Sequence, residues 1–196
     1  MKSTNELYPV FLKVNQLNFI IIGGGKVALE KLGFLLKSSP RASVKLVSNS
    51  YLPELIELAN KFDVELIEDE YSSAYLVGQQ FMIAATNNME LNTTIRKDAK
   101  KMNIPINVAD TPDLCDFYLG GIVSKGNIKI AISTNGKSPT LAKRLREFLE
   151  QLIPHNVDEL ALSLNQYRKQ LKNDFELKVK ELDQITKDIL PIKKYK

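Results

Sequence analysis

Two reactive side chains are almost missing from this chain, and their scarcity narrows its chemistry. It has one cysteine, Cys115, and one histidine, His155, in 196 residues. A single cysteine closes no internal disulfide, which fits a reducing compartment. One Cys and one His fall short of a zinc site built from such ligands, so no protein-held metal is expected. A Ser-His-Asp triad would have to use His155. No apolar run approaches membrane-spanning length. The start, Met1-Lys2-Ser3-Thr4-Asn5-Glu6, lacks the apolar core of a signal peptide. The expectation is a cytoplasmic protein without a membrane partner. The charge excess is only +4, and Lys alternates with Glu and Asp instead of forming one stripe, so nucleic acid is not expected as a partner. Hydrophobic residues at 44% and charged residues at 26% exclude a disordered tail and leave an ordinary globular chain.

The hydrophobic pattern alternates between two periods. Short continuous apolar runs at Asn18–Ile22, Ser43–Val47, Val64–Ile67, Phe81–Ala85 and Ile104–Val108 predict strands, mostly buried on both faces. Helical spacing predicts helices over Val27–Lys37, Pro53–Lys61 and Met89–Asn103. Such alternation predicts βαβ units around a mostly parallel sheet. After Asp110 the pattern changes. Phe117–Val123 and Asn127–Ser133 read as a hairpin turning at Ser124-Lys125-Gly126. Ser138 as N-cap and Pro139 at the first helical position open a helix to about Ile153. Two further amphipathic helices are expected over Asp158–Lys172 and Asp174–Leu190, before Pro191 and a basic tail.

Gly23-Gly24-Gly25-Lys26-Val27-Ala28 fits G-x-G-x-x-A between a buried strand and a helix. In that context Gly23 makes the tight turn, Gly25 admits a pyrophosphate to the backbone, and Ala28 allows close helix–strand packing. Free N–H groups near Lys26 and Val27 then face the phosphates. A ligand-free glycine turn is the bland alternative. At the end of the second strand, where a ribose-binding carboxylate is usual, stands Val47-Ser48-Asn49-Ser50. No Lys or Arg follows at once to pair with a 2′-phosphate, which leans to NAD over NADP. Thr86, in Ala85-Thr86-Asn87-Asn88, ends the fourth strand where a sheet crevice lines a cofactor, although Asn88 equally suits a helix cap.

Three later segments complete an ordered set: Asn107-Val108-Ala109-Asp110, Leu114-Cys115-Asp116-Phe117, and Ala131 through Pro139. With the glycine turn, and over roughly Tyr8 to Pro154, this set resembles the precorrin-2 dehydrogenase family. That family comprises stand-alone sirohaem-pathway dehydrogenases and the N-terminal module of sirohaem synthase. The resemblance implies NAD-dependent oxidation of precorrin-2 to sirohydrochlorin, with iron insertion added in some members. It implies dinucleotide contacts at Lys26, Val27, Val47 and Ser48, at Asp110 the aspartate central to activity in the bifunctional members, and a tetrapyrrole pocket faced by Ser133 and Thr134. It also implies a homodimer. The chain departs from common members at Asn135, where Gly is usual, at Leu119-Gly120-Gly121, and at Thr134. It is too short for a methyltransferase module.

The resulting expectation is a Rossmann-like NAD domain over 1–112, a hairpin–helix dimerisation and substrate region over 113–153, and a small all-helical domain over 154–196. Oxidation requires a hydride acceptor and a base; Asp110, at a strand end, suits the base, with a turn cap as its bland alternative. Asp113 and Asp116 rank below it. The substrate is a polycarboxylate, so the helix start at Ser138 and the adjacent Lys137 are expected to meet its anions. Lys143, Arg144 and Arg146 are expected mostly to serve solubility. His155 is expected near a helix end, and Cys115 to be a small buried residue. Alternatives are a bifunctional dehydrogenase and ferrochelatase, or a dinucleotide-sensing regulatory protein, which tetrapyrrole binding against salt-sensitive DNA binding would separate.

Overall fold

A computed structural model describes residues 5–171 and 175–186. Five strands, β1 (Asn18–Ile22), β2 (Ser43–Ser48), β3 (Glu65–Glu68), β4 (Phe81–Ala84) and β5 (Ile106–Val108), form one sheet in the order β3-β2-β1-β4-β5. Every neighbouring pair is parallel. Helices α1 (Lys26–Ser38), α2 (Pro53–Lys61) and α3 (Met89–Lys101) connect them. The strand order reverses between β1 and β4, and the crevice beyond that reversal is where such sheets bind ligands.

The period-2 pattern of β1 explains its central place. Phe19 and Ile21 join Leu32, Leu36, Leu46 and Leu55 in the core under α1 and α2. Ile20 and Ile22 join Met82, Ile95, Ala99 and Ile106 in the core under α3. Each fully buried Ile or Leu contributes about 1.5–3 kcal/mol by leaving water. The Phe19 and Phe81 rings stack at 5.1 Å, and Phe117 meets Phe81 edge-on at 5.5 Å.

The chain then forms a two-stranded sheet of β6 (Gly121–Lys125) and β7 (Ile128–Ile132), followed by α4 (Pro139–Leu152), α5 (Val157–Gln170) and α6 (Phe175–Thr186). The two-residue connection makes the pair an antiparallel hairpin. It turns at Gly126-Asn127, one position later than expected. Gly126 has φ +56, and a Cβ there would sit 2.0 Å from the Asp158 carboxyl carbon. That carboxylate accepts the Asn127 backbone N–H at 2.6 Å and its side-chain amide at 2.8 Å. The carboxylate of a residue in α5 thus fixes the turn, which local spacing could not reveal. β6 also starts at Gly121 and not at Phe117, and β5 is three residues long.

The chain divides into two compact units, Met1–Gly121 with Ala131–Lys143, and Ile122–Ile130 with Arg144–Lys196. Within the second, α5 packs on α6. The expected ends of the last two helices, Lys172, Asp174 and residues 187–190, and the basic tail lie outside the described residues. Among the described residues no helix is long and apolar enough to cross a membrane.

Candidate active site

The parallel register aligns the carboxyl ends of the strands into one rim. Ile67, Val47, Ile22, Ala84 and Val108 are neighbours in turn. One position past that row stand Ser48 and Gly23, and two positions past it Thr86 and Asp110. Asp110 follows β5, two strand spacings from β1, about 10 Å at the usual separation.

The three glycines of the first turn differ in what surrounds them. Gly23 has φ +128, and a Cβ there would meet the Ala85 carbonyl oxygen at 2.4 Å. Its N–H donates to Val47 at 2.9 Å. A Cβ on Gly24 would lie 1.8 Å from the Ser50 carbonyl oxygen. Gly25 differs from both: a Cβ there would meet nothing within 4 Å. The first two glycines therefore serve the fold, whereas the third faces open space. Gly25 is the N-cap of α1, and the N–H groups of Lys26, Val27 and Ala28 have no acceptor among the described residues. A free helix start beside an open backbone suits an anionic group such as a pyrophosphate.

The neighbouring loops complete the rim. The Ser48 hydroxyl stands 2.8 Å from where a Gly24 Cβ would be and has no partner among the described residues. Tyr51 donates to the Ile67 carbonyl at 2.6 Å, tying the loop after β2 to β3. Burial pushes its phenol up, against the lowering effect of that bond. The Thr86 hydroxyl donates to Asn92 Oδ1 at 2.6 Å, and Asn92 Nδ2 donates back to the Thr86 carbonyl at 3.1 Å. Asn88 caps α3 through the Leu91 N–H at 3.0 Å. Thr86 has thus committed its hydroxyl to the start of α3. The sequence reading missed Asn92, a buried amide whose signal was its i+4 spacing from Asn88.

Asp110 is exposed and has φ +57, in a turn closed by the Thr111 N–H on the Val108 carbonyl at 3.2 Å. Its carboxylate makes no hydrogen bond among the described residues, so it is not the cap of its own turn. Asp116 has a different use. Burial pushes its carboxyl up, but the bidentate Arg96 guanidinium (2.7 Å at the second contact) and the Ile106 N–H at 3.1 Å leave it below the usual range. Cys115 is half-buried, its thiol pushed up by burial and bonded to the Val108 N–H at 3.2 Å. Buried Asn107 donates to the Phe117 carbonyl at 2.9 Å. These groups hold the segment after β5.

In the segment before α4, the Ser133 hydroxyl accepts the Asn135 N–H at 3.1 Å, and Thr134 Oγ1 accepts the Ser138 N–H at 3.2 Å. Asn135 and Gly136 have φ +54 and +72. Ser138 caps the helix through the Leu141 N–H at 3.2 Å. Because Pro139 has no N–H, Leu141 is capped and the Ala142 N–H donates to the Ser138 carbonyl, Thr140 alone in that first turn keeps a donor with no acceptor among the described residues. The helix start is a narrower anion site than its sequence suggested. Lys137 lies immediately before it. In the second unit, Arg146 pairs with Glu150 at 2.5 Å, and His155 Nδ1 lies 3.4 Å from Lys125 Nζ. Among the described residues no group of three His, Cys, Asp or Glu side chains is arranged to hold a metal.

Comparison with known proteins gives a consistent context. Residues 10–121 match a family model described as NAD(P)-binding, and residues 125–152 match one described as sirohaem biosynthesis protein central. The siroheme synthase of Psychrobacter arcticus is 39% identical over 165 residues, 84% of this chain and 30% of that protein. That of Pseudoalteromonas translucida is 39% identical over 170 residues, 87% of this chain and 36% of that protein. The chain therefore spans about a third of the length of the curated relatives it matches. Among solved structures, SirC, described as precorrin-2 dehydrogenase, superposes with a TM-score of 0.72 at 24% identity, covering 93% of this chain and 90% of that one. At that identity the likeness establishes the fold.

Proposed function

This chain belongs to the NAD(P)-binding family represented in siroheme synthases, and on that premise we propose that it oxidises precorrin-2 to sirohydrochlorin with NAD. One observation carries the reading: the open backbone at Gly25 and the unengaged carboxylate of Asp110 share the carboxyl rim of one parallel sheet.

The residues of the rim have distinct tasks. The N–H groups of Lys26 and Val27 would hold the pyrophosphate at the α1 N-terminus, where Gly25 leaves open space. Gly23 and Gly24 keep the turn in shape, and Val47, Ser48 and Thr86 would line the rest of the dinucleotide. A bound nicotinamide supplies the hydride acceptor, which no side chain provides. The overall oxidation takes two electrons from precorrin-2, with one hydrogen leaving as hydride and one as a proton. Asp110 accepts that proton at a carboxylate oxygen. Ser133, Thr134, Lys137 and Ser138 face the polycarboxylate, with the Thr140 N–H as a further donor. Thr134 acts mainly by shaping the segment, since its hydroxyl is already bonded to Ser138.

A homodimer forms part of the proposal. Leu141, Leu145, Phe148 and Leu152 recur along α4 and are 40–62% exposed, an apolar stripe that a second copy would cover.

The test is direct. Mixing the protein with precorrin-2 and NAD should raise NADH absorbance together with the sirohydrochlorin spectrum. No NADH from a competent substrate preparation rejects the proposal.

A further inference from the structure

The second strand ends without the carboxylate that usually selects the ribose, yet the rim beside it is strongly acidic. Glu68, Asp69 and Glu70 follow one another at the end of β3. Glu68 is the register partner of Ser48, and the Asp69 N–H donates to the Ser48 carbonyl at 3.1 Å. In-register neighbours of a parallel pair project from the same face, so Glu68 stands beside the Ser48 hydroxyl. Asp69 is held in place: its carboxylate accepts the Tyr75 hydroxyl and, at 2.7 Å, the Glu70 N–H. The Tyr75 hydroxyl bond, followed by that N–H, lowers its acidity range, so it stays ionised at neutral pH. No lysine or arginine occurs between Lys61 and Arg96. Lys45, on β2 itself, is paired with Glu65 at 3.3 Å, at the other end of β3.

We propose that the Glu68-Asp69-Glu70 run is the specificity determinant of the cofactor site, excluding NADP by repelling its 2′-phosphate while Ser48 hydrogen-bonds the free ribose hydroxyl of NAD. The inference rests on the glycine turn being the dinucleotide site and deepens that reading. A ribose hydroxyl needs one donor or acceptor, which Ser48 supplies. A 2′-phosphate brings about two further negative charges and needs cations. Here it would approach Glu68, the register neighbour of Ser48, with the negative charges of Asp69 and Glu70 next to it in the chain. The discriminating carboxylate has moved one strand outward, from the end of β2 to the end of β3. A motif reading that inspects only the end of the second strand overlooks it.

Calorimetric titration of NAD and NADP into the full chain tests this without turnover. The variants are Glu68→Gln/Asp69→Asn/Glu70→Gln, the single Asp69→Asn, which retains an acceptor for Tyr75, and Glu65→Gln as a control at the far end of β3. The wild type should bind NAD more tightly. The triple variant should tighten NADP about ten-fold at low ionic strength, less at physiological salt, and leave NAD unchanged. Asp69→Asn should move the ratio part of the way, and Glu65→Gln should not move it. Equal wild-type affinities, or a triple variant whose ratio does not change, would overturn the specificity proposal alone. Binding of neither dinucleotide would instead overturn the cofactor reading beneath it.

Discussion

Replacing Gly24 and Gly25 by alanine, one at a time, should separate folding from binding in adjacent residues. A Cβ on Gly24 would lie 1.8 Å from the Ser50 carbonyl oxygen, a backbone atom that yields only if the whole loop moves. That loop is fastened by the Leu52 N–H on the Gly24 carbonyl at 3.0 Å and by the Tyr51 hydroxyl on Ile67. Displacing it by more than an ångström should cost about 3 kcal/mol, at the upper end for overpacking. For a unit of this size that corresponds to a fall in Tm of roughly 10 °C. Gly25 sits at φ −92, ψ −168, which any residue adopts, and its Cβ would project into open space. Gly25→Ala should therefore move Tm far less than Gly24→Ala, since the lower unfolded-state freedom of alanine opposes its poorer N-cap preference. The added methyl would stand where a pyrophosphate approaches the α1 N-terminus. Losing one or two charge-assisted hydrogen bonds at about 1.5–3 kcal/mol each weakens NAD binding by roughly ten-fold or more. Thermal unfolding and calorimetric titration read the two effects independently. A Gly25→Ala protein that binds NAD as well as wild type, or a Gly24→Ala protein with an unchanged Tm, would refute the reasoning.

Other expectations follow from the same geometry. Asp110→Asn should bind NAD normally and lose about 10²–10⁴-fold in kcat, the range of a lost general base, in an NADH-release assay. Because residue 110 is left-handed, Asp110→Gly should be more stable than Asp110→Ala by roughly 1 kcal/mol in urea unfolding, while both remain inactive. Asp116 has a lowered folded-state pKa, so its contribution is present above the unfolded value and is lost as pH falls through the folded one. Acid unfolding should thus steepen below about pH 4 in wild type and less so in Asp116→Asn; the pair is partly exposed, so the difference should be about 1 kcal/mol or less. Phe148→Glu on the exposed α4 stripe should yield a smaller species by light scattering, with NAD binding retained.

Much of the sheet was legible because strands buried on both faces read as continuous apolar runs, as in Phe19–Ile22 and Met82–Ala84. The conformation of the glycine turn was legible because tight turns and close approaches tolerate few residues. Other features arise from partners far away in sequence. The hairpin turn is set by Asp158, and the Thr86 hydroxyl is taken by Asn92. Neither partner is visible in a local window. The left-handed backbone of Asp110 was equally hidden, since Asp adopts that conformation only when its surroundings require it. Ser138 and Pro139 were correctly read as a helix start. They also removed the donors that such a start usually presents, which follows only once the cap geometry is known.

The most direct measurement is a crystal structure with NAD bound. The account predicts pyrophosphate density against Gly25 and the N–H groups of Lys26 and Val27, with the nicotinamide ring beside the Asp110 carboxylate. A dinucleotide seated elsewhere, or a ring remote from residue 110, would contradict it.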